Sequence, residues 1–192
     1  MSMFPLFPLA MPLFPEQVMS LQIFEPRYIN LVSECLKAER GFGVVQIREG
    51  HEVGGVVHIF QFGVEAKIVD FEQLPNGLLG IQVLGCRKFS VDVTERGVMN
   101  QLLAQVTWLA DEPHTAVPDE FDGLRLLLDD LLLHPAVSAL QLPACLDARH
   151  LGWQLCQLLP LSAHDKVQLL ALADPIFRLE QLAERIEQLG RD

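Results

Sequence analysis

The chain has 192 residues, half of them hydrophobic and 20% charged, enough apolar side chain to order a core and to exclude general disorder. Its 25 acidic residues against 14 basic ones leave a formal charge of −11, which offers no electrostatic footprint for nucleic acid. No basic residue precedes Arg27, and Pro5, Pro8, Pro12 and Pro15 interrupt the apolar opening. Neither a signal peptide nor a membrane helix is built this way, so a cytoplasmic protein without membrane attachment is expected.

In chain order, the opening Phe4-Pro5-Leu6-Phe7-Pro8-Leu9 is followed by Ile23-Phe24-Glu25-Pro26-Arg27-Tyr28. Pro26 suits a first helical position, where an amide proton has no partner to lose, and the Glu25 carboxylate suits the positive end of the helix dipole. The spacing of Tyr28, Ile29, Val32 and Leu36 predicts a helix from Pro26 to Glu39, stopped by Gly41. Strands are expected at Phe42 to Ile47 and at Gly63 to Phe71, where Val64, Ala66 and Ile68 alternate with Glu65 and Lys67. Asn76-Gly77 tolerates positive φ, which turns the chain into an antiparallel partner at Leu78 to Leu84. Phe89, Val91 and Val93 read as a further strand, and Leu102, Ala104, Val106 and Trp108 as another. Short antiparallel strands of this kind suggest a small, partly closed barrel.

Between Ala110 and Asp119 periodicity stops at Asp111, Glu112, Pro113, His114 and Pro118, and a linker is expected there. Beyond it, Phe121, Leu124, Leu128 and Leu131 form one helical stripe ended by Pro135, and Leu151, Leu155, Leu158 and Leu159 form a second. Ser162-x-x-Asp165 opens a third helix in the manner of a capping box. Asp174-Pro175 opens a fourth, with Ile176, Leu179, Ala183, Ile186 and Leu189 on one face.

Several of these segments together carry a resemblance. The opening Pro-Leu-x-Pro strand, Ile23 to Tyr28, Phe42-Gly43-Val44-Val45, and Gly63 with Ala66 and Ile68 are followed by Gly85-x-Arg87-x-Phe89-x-Val91. Near the end come Leu159-Pro160-Leu161, then Lys166, Gln168, Leu169, Leu170, Asp174, Arg178 and Leu179. In this order and spacing the chain resembles the N-terminal substrate-binding domain of the Lon ATP-dependent proteases, here expected to stand alone. The resemblance implies an α+β fold: a PUA-like antiparallel β pseudo-barrel lobe with one helix over residues 1–110, then an α-helical bundle lobe over 119–192. The nucleotide-binding pattern G-x-x-x-x-G-K-[ST] is absent, and none of Lys37, Lys67, Lys88 and Lys166 sits in a context like the Ser/Lys dyad of the Lon peptidase. Catalysis is therefore not implied, and no cofactor is.

Other chemistry reads as structure. His51, Glu52 and His58 flank a Val53-Gly54-Gly55 loop at spacings that fit no common zinc pattern. Ser162, His164 and Asp165 lie close in sequence, but a helix cap accounts for the serine and the carboxylate. Cys35, Cys86, Cys145 and Cys156 form no C-x-x-C pair and lie in apolar contexts, as reduced core thiols do. No catalytic or metal-ligating set emerges.

The expected function is reversible recognition of unfolded or extended polypeptide, with a separate protease or ATPase as a further partner. Met11, Phe14, Met19 and Phe24 are candidates for an exposed apolar rim, because flexible methionine and aromatic surface suits varied clients. Their alternative role is core packing. Arg27 and Tyr28 join the list; the alternative is that the Arg27 fork ties a neighbouring loop and that Tyr28 packs between lobes. From other classes come an enzyme acting on a small molecule between the lobes, and an adaptor for a separate ATPase.

Overall fold

The computed structural model describes residues 3–50, 58–140 and 142–190, and the chain divides into two units, Met1–Leu109 and Ala110–Asp192. The first holds the six-stranded sheet and one helix: β1 (Phe4–Leu9), β2 (Val18–Ile23), α1 (Pro26–Lys37), β3 (Phe42–Glu49), β4 (His58–Gln73), β5 (Leu79–Arg96) and β6 (Leu102–Trp108). The fold is therefore mixed α+β.

The strand order is β2-β5-β4-β3-β1-β6, and β6 also pairs with β5. Five strands thus form a continuous ring, with β2 lying outside it on β5. The length of β5 makes this possible. Its first part pairs with β2 from Leu79 to Leu84, and its second part pairs with β6 from Phe89 to Arg96. Gly85 stands at the changeover. There the amide of Glu16 donates to the Gly85 carbonyl at 2.8 Å, and the Gly85 amide donates to the Gln17 carbonyl at 2.9 Å. A Cβ on Gly85 would meet the Phe14 carbonyl oxygen at 2.0 Å, so no other residue lets this backbone crossing close.

The barrel core is Leu6, Val45, Phe89, Val91, Leu102 and Ala104. Phe4, Phe89 and Trp108 meet edge to face, with ring centroids 5.3 to 5.7 Å apart. The Asn76-Gly77 turn forms as the sequence suggests: Gly77 has φ +81 and the Asn76 carboxamide oxygen accepts from the Leu78 amide at 3.1 Å.

Five expectations change in this unit. Leu78 to Leu84 and the strand at Phe89 are one continuous β5, because Gly85 between them serves a close approach and not a turn. The strand β2 lies in a stretch read only as apolar, and β1 pairs with β3 in parallel. The helix α1 ends at Lys37, before Gly41, with Glu39 in the left-handed region at φ 50. Its buried face is Tyr28, Leu31, Val32 and Cys35, whereas Ile29 and Leu36 are exposed.

The second unit is helical: α2 (Asp122–Leu132), the short α3 (Pro135–Ser138), α4 (Ala148–Leu158), α5 (Ala163–Ala171) and α6 (Pro175–Leu189). Carboxylate or hydroxyl side chains cap the N-termini of α4, α5 and α6. Asp147 accepts from the His150 amide at 3.0 Å, Ser162 from that of Asp165 at 3.1 Å, and Asp174 from that of Ile176 at 2.8 Å, each satisfying a donor that the helix cannot. Leu124, Leu128, Leu151, Leu155, Leu169, Leu170, Leu179 and Leu182 fill the core.

Inside that core lies a cation. Arg178 is 0% exposed, and its guanidinium forms a two-pronged pair with Glu112, at 2.8 Å for one prong. It also donates to the carbonyls of Leu169 at 3.2 Å and Leu172 at 2.7 Å, and it stacks 3.4 Å from the centroid of the Trp153 ring. Glu112 belongs to the stretch expected to be a linker. That stretch is instead packed on the helical unit, for Val117 is buried and the Thr115 carbonyl accepts from the Ala148 amide at 2.8 Å.

Candidate functional site

A groove of about 230 Å³ opens in the first unit. Phe7 and Leu9 of β1, Met11 just beyond it, and Tyr28 of α1 line it together with every residue from Met19 to Glu25. Side chains alternate along a strand, so an unbroken run of lining residues means that the strand's edge and main chain, and not one of its faces, border the groove. The position of β2 agrees with this. It is the terminal strand in the sheet order and, among the described residues, pairs only with β5, so alternate amide and carbonyl groups point away from the sheet. No charged residue or proline interrupts Val18 to Ile23, the usual devices by which an edge strand is kept from pairing.

The rest of the lining is apolar and partly rigid. Tyr28 is buried, its ring stacked on Phe7 at 3.9 Å with planes 14° apart. Arg27 lies 4.7 Å above the same ring and pairs with Glu25 at 2.8 Å. Glu25, the one carboxylate of the lining, is thus engaged by a neighbour.

Of the six residues singled out in the sequence, the groove gathers Met11, Met19, Phe24 and Tyr28. Met11 is 67% exposed and Phe24 54%; Met19 is half-buried. Arg27 stands behind the lining. Phe14 is 2% exposed and is a core residue, not a rim residue, because the loop that carries it is clamped onto Gly85. Phe7, Leu9, Leu21 and Ile23 join the groove without having stood out as site residues in the sequence. The alternation of Met19, Leu21 and Ile23 with Ser20 and Gln22 was the available signal.

The remaining candidate chemistry is quiescent. The Ser162 hydroxyl bonds to the Asp165 carboxylate, and the His164 Nε2 lies 2.8 Å from the Gln168 amide group, so serine and imidazole face different partners and no triad forms. The carboxyl of Asp165 is lowered first by that serine and then by Arg185. His51, Glu52, Val53, Gly54 and Gly55 lie outside the described residues; His58 is exposed. Among the described residues no group of three His, Cys, Asp or Glu side chains is placed to hold a metal ion.

All four cysteines are free thiols, but Cys145 is exposed and Cys86 only half-buried, so the expectation of four core thiols holds for two. Burial raises the thiols of Cys35, Cys86 and Cys156, that of Cys156 to about 12. A cluster that sequence spacing did not disclose surrounds Asp147, whose carboxylate lies 3.0 Å from each of His114, Arg149 and His150.

The comparisons with known proteins bear on the whole of this architecture. A family model described as the ATP-dependent protease La (LON) substrate-binding domain matches residues 3–188. Among solved structures, the chain is similar to a Lon N-terminal domain protein from Xanthomonas campestris, with 32% identity and a TM-score of 0.78 over 96% of this chain and 98% of that one. It is also similar in fold to the N-terminal domain of a Mycobacterium avium complex Lon protease, with 18% identity and a TM-score of 0.62 over 95% and 97% of the two chains. No curated protein matches.

Proposed function

The chain belongs to the ATP-dependent protease La (Lon) substrate-binding domain family, and from that premise we propose that it is a non-catalytic module that binds extended polypeptide in the groove beside β2. The observation that carries the reading is the unbroken lining from Met19 to Glu25. A client strand laid along β2 takes up its free main-chain groups, while alternate client side chains enter the apolar wall of Phe7, Leu9, Met11 and Tyr28. Met11, Met19, Phe24 and Tyr28 supply contact area; Arg27 holds Glu25 and the Tyr28 ring in place. Phe14 acts from within the core by fixing the loop that leads into β2.

The same reading takes the closed β unit as PUA-like and the protein as cytoplasmic. The formal charge of −11 supports exclusion of nucleic acid. Among the described residues no helix is long and apolar enough to cross a membrane.

Titration with a reduced, unfolded model polypeptide tests the proposal. Saturable binding is expected, and Met19→Ser or Phe24→Ser should weaken it about 5- to 20-fold by removing apolar contact, with each variant's fold checked by thermal melting. No saturable binding to any unfolded chain, together with a melting temperature raised by small metabolites, would overturn it in favour of an enzyme.

A further inference from the structure

The second unit exposes leucine where its own fold has no use for it. Leu124 and Leu128 bury one side of α2, yet Leu126 is 65% exposed and Leu133 81%. These two are seven residues apart and share the opposite face. From Leu133 to Leu146 the chain carries no Asp, Glu, Lys or Arg at all, and Leu140 and Leu146 are 52% and 78% exposed. Cys145, beside Leu146, lies near enough to Arg125 and Asp129 to feel both charges, which brings the end of this run to the flank of α2.

A second observation concerns charge. Asp129 and Asp130 stand on either side of the Leu126–Leu133 stripe in the last turn of α2, which has no basic residue. The negative end of the helix dipole opposes carboxylates there. Among the described residues neither carboxylate makes an ion pair or side-chain hydrogen bond, whereas Asp122 is paired with Arg125 at 3.7 Å. Local electrostatics that oppose the fold, beside apolar side chains left in water, mark a surface shaped by a partner. Anionic lipid is disfavoured by these carboxylates, and a second copy would bring the same negative charges against them.

We propose that the outer face of α2, with Leu146 at its flank, forms a docking site for a cationic amphipathic helix of another protein, its leucine-type side chains on Leu126, Leu133 and Leu146 and its Lys or Arg on Asp129 and Asp130. The site belongs to the second unit and does not depend on what the β2 groove binds.

The test uses the full chain and a labelled synthetic Leu/Lys amphipathic helix, followed by fluorescence anisotropy, with a Leu/Glu counterpart as control. Saturable binding of the Leu/Lys helix alone is expected. It should weaken about tenfold or more in Leu133→Ser/Leu146→Ser, and about three- to tenfold at low salt in Asp129→Asn/Asp130→Asn. The latter variant should also melt about 1 to 3 °C higher, since the opposed dipole is relieved. Met19→Ser in the groove should leave this binding unchanged. Equal binding of the Leu/Glu helix, indifference to the Leu133→Ser/Leu146→Ser change, or loss in Met19→Ser overturns the proposal. Binding of phosphatidylglycerol vesicles, or a dimer in sedimentation that Leu133→Ser dissociates, would assign the face to lipid or to a second copy and overturn it equally.

Discussion

Arg178 places a fully buried cation in the core of the second unit. Its guanidinium answers the Glu112 carboxylate, two helix-end carbonyls and the Trp153 face at once. Arg178→Ala takes the guanidinium away from a carboxylate side chain that is itself 6% exposed, and breaking a buried pair from one side costs about 3 to 5 kcal/mol. Urea unfolding should show that loss, and Arg178→Leu with Glu112→Leu should show a smaller one, since no carboxylate then remains buried. Asp147 makes a pH prediction. Burial by itself would raise its carboxyl, but the His150 amide, Arg149 and His114 outweigh burial and hold it at about 2, below the ordinary 3.8. A carboxyl depressed in the folded state adds stability that is fully present above its unfolded pKa and is lost as pH falls through the folded one. The contribution is about 2 kcal/mol, disappearing between pH near 4 and pH near 2. In Asp147→Asn, which still caps α4, the acid limb of a stability-versus-pH curve should flatten by that amount over that window.

At the scale of elements, the segment from Ala110 to Pro118 behaves as part of the helical unit despite its irregular sequence. Glu112 is held by Arg178, and Thr115 is held by the Ala148 amide. A protease needs extended, accessible chain, which a pinned segment does not provide. Brief proteolysis of the native protein should therefore spare Glu112 to Val117, and the same digestion of Arg178→Ala should cut there early. Early cleavage in the wild type would show that these tethers do not persist in solution. The strand β2 is the opposite case. It has regular sequence and a regular ladder on β5, but among the described residues only on one side, and that one-sidedness is the basis of the groove.

For the whole molecule, which carries a formal charge of −11, salt dependence distinguishes the two proposed surfaces. A client held by apolar burial and main-chain pairing should bind the β2 groove almost equally at low and high salt, while the cationic helix on α2 should weaken as salt rises. Running both titrations across the same salt series tests the assignment of each surface. A steep salt dependence in the groove and none on α2 would mean that charge holds the client and apolar contact alone holds the helix.

Much of this protein was written locally. Pro26 after Glu25, Ser162 before Asp165 and Asp174 before Pro175 each start a helix through groups within three residues of one another, and Asn76-Gly77 turns a hairpin for reasons contained in its own backbone. The six ordered segments that carry the Lon resemblance are likewise visible without coordinates. Tertiary structure decided what lies far apart in the chain. It joined Phe89 to Leu84 in one strand by letting the Phe14 loop cross at Gly85, sent Phe14 into the core, and set Glu112 against Arg178 and His114 against Asp147. It also left one edge of β2 without a partner strand among the described residues, where Phe7, Leu9 and Tyr28 meet it as the far wall of a groove. Periodicity reports which side of an element is apolar, because that depends on residues a few positions apart; which neighbour covers that side, or whether any does, depends on loop closures tens of residues long that no local pattern encodes.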